Sequence, residues 1–123
     1  MKRQNSNQRS KFTALENHFL NTFFSGLYLS QNDLIAIAKK VDIELDMNTR
    51  EMLIKNLLNE SDRKGNISQV TVLLNQLIDQ RIQAYHKLSI DYPASQTIMA
   101  TLAQKANGTK SLLARESRAN PYE

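Results

Sequence analysis

Cysteine is absent from the 123 residues, which removes disulfide scaffolds, thiolate zinc sites, iron–sulfur ligation and cysteine nucleophiles together. Three Gly and two Pro are too few for a turn-rich β architecture or a linker-like chain. No apolar run approaches the roughly 20 residues that a membrane span needs, so no membrane is expected. The opening MKRQNSNQRSKF is basic but lacks an apolar stretch behind it, so it does not read as a secretory signal. There is no G-x-S-x-G and no Gly-rich phosphate loop. His18 and His86 are the only histidines, and neither has a carboxylate four residues away on the same helical face. The reading is therefore non-enzymatic: no catalytic residue, no metal and no cofactor is expected.

What the chain does have is helical periodicity on one core's worth of length. At this size the folded area should be about 6,700 Å² against roughly 20,000 Å² unfolded, enough for a single core. A basic Asn/Gln/Arg-rich segment, residues 1–9, has no apolar rhythm and reads as a disordered arm. Residues 10–118 read as an all-α, single-domain bundle of five to six helices, and 119–123 as a frayed tail. The first helix should span about 11–25, with Thr13 and Glu16 at capping-box spacing and Phe12, Leu15, Phe19 and Phe23 at helical intervals. Ser30 and Asp33 open a second helix reaching about Lys40. Val41, Ile43 and Leu45 alternate with Asp42, Glu44 and Asp46, an extended connector with apolar plugs. Asn48 caps a third helix, with Glu51 at N3, and Gly65 ends it. Asn66 and Gln69 start the longest helix, about 67–88. Pro93 suits N1 of a fifth helix with Gly108 at its C′, and Thr109 to about Arg118 would be a sixth. The expected core is Leu15, Phe19, Phe23, Leu34, Ile37, Leu53, Leu57, Leu74, Leu77, Ile78, Ile82, Ile98 and Leu102.

Charge supplies the candidate functional residues. Sixteen Lys+Arg against twelve Asp+Glu give +4 and a pI near 9.5, which permits an anionic partner without demanding one. Asp42, Glu44, Asp46 and Asn48 have the spacing of a calcium-loop start, but Met47 stands where the turn Gly belongs and Leu53 where the bidentate Glu belongs. The acidic connector Asp42, Glu44 and Asp46 is followed in sequence by cations at Arg50, Arg63, Lys64 and Arg81. Complementary signs on one small body suit self-association or a protein partner, so these seven are the candidate interaction surface. Lys2, Arg3, Arg9 and Lys11 at one end, with Lys105, Lys110, Arg115 and Arg118 at the other, are candidate phosphate contacts for a nucleic-acid partner. The interleaved aromatics of a single-strand binder are missing.

From Leu29 to Arg81, the opening SQNDL, the helix LIAIAKKV, the connector IELD, the helix REMLIKNLL and the start G-N-I-S-x-V-x-x-LL-x-x-L carry a pattern. It resembles the bacterial effector-associated domains, small death-fold-like helical modules for homotypic coupling. The resemblance implies an adaptor in the bacterial cytoplasm, working through helix faces and charge as part of a larger assembly. That family usually sits in longer chains with an effector domain, and 85–123 has no counterpart in the pattern. The stretch DLIAIAKKVDIELDMNTREMLIKNLL is also similar to helix–extended-loop–helix modules of the SAP type, which bind nucleic acid. That likeness supports the alternative of a basic subunit in a phage packaging or RNA-guided, CRISPR-type complex.

Overall fold

The computed structural model describes residues 11–118, so the expected N-terminal arm and C-terminal tail lie outside the described residues. Within them the chain is an all-α bundle: α1 (Thr13–Leu20), α2 (Thr22–Ser25), α3 (Gln31–Lys40), α4 (Arg50–Arg63), α5 (Ile67–Asp91), a 3₁₀ turn (Pro93–Ser95) and α6 (Gln96–Arg118).

The expected first helix is broken at Asn21. Its side chain accepts from the Phe24 amide at 3.2 Å, and its backbone is extended (φ −104°, ψ 100°), so it ends α1 and caps α2. An Asn offering its own side chain to nearby amides competes with the helix ladder, and here it wins. The Thr13–Glu16 capping box does not form; Phe12 occupies the cap position and makes no side-chain cap bond. By contrast Ser30 and Asp33 close a complete capping box on α3. The α4 cap falls one residue later than expected: Thr49 accepts from the Met52 amide, and Asn48 accepts from the Thr49 amide. Gly65, at φ +79°, follows α4 as predicted. Asn66 holds the N-cap position of α5 as expected but makes no side-chain cap bond; its side-chain amide instead donates to the Val41 carbonyl at 3.3 Å, fastening the connector to the α4–α5 turn.

The largest correction concerns Gly108. It does not end a helix: α6 runs unbroken through it to Arg118, so the expected fifth and sixth helices are one. Helix formers on both sides outweigh the roughly 1 kcal/mol that one Gly costs.

The core lies between α1, α3, α4, the first half of α5 and the second half of α6. Leu15, Phe19, Leu34, Ile37, Leu53, Leu57, Leu74 and Ile78 are buried as expected. Val41 and Ile43 are buried as plugs, with Leu45 packed beside them. Leu77 and Ile82 are half-buried against the core. Three expected core residues lie outside it. Leu102 is half-buried and is not packed against the core. Phe23 is 69% exposed because the break at Asn21 turns it outward, and Ile98 is 62% exposed because its stretch of α6 has no bundle beside it. Phe12, Leu27, Leu29, Ala38, Ile54, Leu58, Val70, Ala106 and Leu113 complete the apolar interior.

Between Ile78 on α5 and Ala106 on α6 no residue is buried. The far halves of these two helices, joined by the 3₁₀ turn, form a two-helix arm beyond the bundle. Its root is tight. The Tyr85 hydroxyl donates to the Gly26 carbonyl. Gly26, at φ +78°, approaches so closely that a Cβ there would lie 2.5 Å from the Leu102 carbonyl oxygen and 2.6 Å from the Ala106 nitrogen. Only glycine tolerates both that backbone and that distance.

Candidate functional site

The charged residues singled out by sequence do not form one patch. Arg50 opens α4 and is committed to its own neighbourhood: Nε donates to the Leu29 carbonyl at 2.6 Å, and the guanidinium lies 4.1 Å from the Tyr28 ring centroid. Its Nη2 is buried without a hydrogen-bond partner. Arg63 and Lys64 sit at the other end of α4, about 20 Å along its axis. Arg63 pairs with Glu60, whose hydrogen bond and charge hold the guanidinium above its ordinary value. Arg81 reaches across from α5 to Asp33 at 3.1 Å, tying that helix to the capping box of α3.

Asp42, Glu44 and Asp46 point to solvent from the connector, and none of them is within ion-pair distance of a base among the described residues. Asp42 holds φ +58°, a left-handed conformation that Asp tolerates better than most residues. Beside it Lys40, Val41, Asn66, Gln69 and Val72 line an open cleft of about 420 Å³.

The candidate phosphate contacts are similarly dispersed. Lys2, Arg3 and Arg9 lie outside the described residues, as does the side chain of Arg118. Lys11 is paired with Asp62 at 2.9 Å and Lys110 with Asp79 at 2.7 Å. Lys105 lies 4.4 Å from the Phe23 ring centroid. Because α6 is continuous, the five-residue steps from Lys105 to Lys110 to Arg115 each rotate about 140° round the helix. They cannot make a single basic stripe.

Sequence reasoning overlooked a different set of residues. Phe23, Phe24 and Tyr28 are exposed at the α2 end of the bundle, the two Phe rings 6.0 Å apart. On the arm Leu88, Ile90, Tyr92 and Ile98 are exposed. Helical spacing relates these groups. Ile98 is two turns before Lys105 on the same face of α6, and Leu88 is two turns after Arg81 on α5. Both therefore continue the bundle-facing sides of their helices past the point where the bundle ends. The available signal was charge. Between Arg81 and Lys105 the only residues of Asp, Glu, Lys or Arg are Lys87 and Asp91, and these pair with each other at 3.0 Å.

A buried polar junction joins α1, α2 and α6. The Thr109 hydroxyl lies 2.8 Å from His18 Nε2 and donates to the Ser25 carbonyl at 2.7 Å. Burial pushes the His18 imidazole below its ordinary pKa. At the arm's root, burial raises the Tyr85 phenol, against a smaller opposing pull from the Arg81 charge. Among the described residues no three His, Cys, Asp or Glu side chains are grouped to hold a metal ion. Among them also, no helix is long and apolar enough to cross a membrane. The chain matches no family model, no curated protein sequence and no solved structure.

Proposed function

We propose that this chain is a non-enzymatic protein-interaction module, an adaptor component of a larger bacterial assembly in the cytoplasm. One observation carries the reading: apolar side chains are held out on a two-helix arm and at the adjoining aromatic corner, where they contribute nothing to the core. An exposed apolar surface of this kind, rimmed by polar residues, is the mark of a protein contact. The resemblance of residues 29–81 to effector-associated adaptor domains agrees with it. The nucleic-acid alternative has less support, because Lys11 and Lys110 are already engaged by carboxylates and the α6 cations diverge.

Recovery of the tagged full chain from its own cells, with and without nuclease, tests the reading. A discrete protein partner or a second copy should be retained after nuclease and at about 0.5 M salt, where phosphate contacts are weakened severely. Recovery of nucleic acid alone, lost on raising the salt, would replace this reading with the alternative.

A further inference from the structure

We infer that the partner of the arm is the arm of a second copy, the two lying antiparallel about a two-fold axis near Ile98. This deepens the interaction-module reading and rests on it. Three observations lead there.

The first is charge. An isologous contact brings every residue near its own counterpart, so a patch rich in one sign repels itself. From Ile82 to Gln104 the arm's only Asp, Glu, Lys or Arg residues are Lys87 and Asp91, already joined to each other. Such a surface does not repel its own copy.

The second is length. Lys105 marks the level of Phe23, since its ammonium lies over that ring. From there to the tip at Pro93 is about 18 Å of helix, and Ile98 stands close to midway. On α5, Leu88 lies four residues before Tyr92, hence at nearly the same level as Ile98. Antiparallel arms would set Ile98 against Ile98 on the axis. The tip residue Tyr92 of each copy would then meet Phe23 and Phe24 of the other. One interface thus covers Leu88, Tyr92 and Ile98 of the arm together with Phe23 and Phe24.

The third is area. Two helices side by side offer a face of about 18 Å by about 20 Å. That is on the order of 360 Å² per partner before side-chain relief, in the range of weak contacts rather than the standard of about 800 Å². It predicts a dimer in a micromolar, concentration-dependent equilibrium. Ile90 is excluded from it, being about 200° round the helix from Leu88.

The absence of cysteine makes the test direct. Sedimentation velocity of the full chain from about 1 to about 300 µM, a range bracketing micromolar affinity, should show monomer passing to dimer. Raising the salt should leave that change in place. Ile98→Asp and Leu88→Asp should each shift the midpoint at least about tenfold upward, whereas Ile90→Asp should leave it unchanged. Under mild oxidant Ile98→Cys should form a disulfide-linked dimer, and Ile90→Cys should not, because a disulfide needs Cα atoms within about 7 Å. Three results would overturn the pairing: a monomer throughout, a dimer indifferent to Ile98→Asp, or equal cross-linking of the two cysteine variants. A chain that stays monomeric yet captures another protein, and loses it on Ile98→Asp, overturns the pairing while leaving the interaction-module reading intact.

Discussion

The hydroxyl of Thr109 on α6 lies 2.8 Å from Nε2 of His18 on α1, a polar link between the two helices. The same hydroxyl donates toward the Ser25 carbonyl at 2.7 Å and the Lys105 carbonyl at 3.1 Å, which leaves its oxygen to accept from an imidazole Nε2–H. Thr109→Val keeps the shape and removes all three bonds, stranding the buried Ser25 carbonyl. Chemical denaturation should show a loss of about 1–3 kcal/mol. Thr109→Ser should recover most of it.

The same junction sets a pH dependence. Burial lowers the His18 pKa in the folded chain, so the unfolded chain binds the proton more readily. Stability from this group is therefore fully present above the ordinary value of about 6.5 and is lost as pH falls through the lower folded value. The melting temperature should decline as pH is lowered from about 7.5 to about 5.5, ahead of carboxylate protonation. His18→Gln should flatten that part of the profile.

Gly26 and Gly65 share a left-handed backbone, φ +78° and +79°, but a Cβ at Gly65 would meet nothing within 4 Å. Gly65→Ala should cost about 1–2 kcal/mol, the backbone penalty alone. At Gly26 the clash with the α6 backbone is added, so Gly26→Ala should cost clearly more, by about 1–3 kcal/mol. Comparing their denaturation midpoints measures how closely the α2 turn is pressed against α6.

Gly108 distinguishes one long α6 from two short helices. Within a helix and with open space around it, Gly108→Ala should stabilise by about 1 kcal/mol. At a left-handed C′ position the same change would destabilise by a similar amount. The sign of the shift in melting temperature decides.

Where residues act on their immediate neighbours, the sequence was a good guide. Ser30 with Asp33, Gly65 after a basic turn, and the plugs Val41 and Ile43 behave as their local chemistry dictates. Errors arose where a single polar residue or the edge of the bundle decided the outcome. Asn21 breaks a stripe that periodicity alone would continue through Phe23, and nothing in the spacing of Ile98 tells that the bundle stops short of it. Apolar periodicity shows which side of a helix faces inward, but not whether anything stands opposite. The dispersal of the candidate charges was hidden for the same reason. Arg81 and Arg50 look free in sequence, yet one closes on Asp33 and the other on the Leu29 carbonyl. The more informative signal was the scarcity of charge between Arg81 and Lys105.

The division between a bundle that carries the stability and an arm that carries the contact is tested most directly by melting the Leu88→Asp/Ile98→Asp double variant at low micromolar concentration, with Phe19→Ala as reference. Phe19 is 1% exposed, and its truncation should cost about 3–5 kcal/mol, lowering the midpoint by on the order of 10 °C or more. The double variant should melt within about 2 °C of the unmodified chain, as exposed substitutions do. A loss comparable to that of Phe19→Ala would mean that the arm belongs to the core, and would contradict the division of labour between bundle and arm.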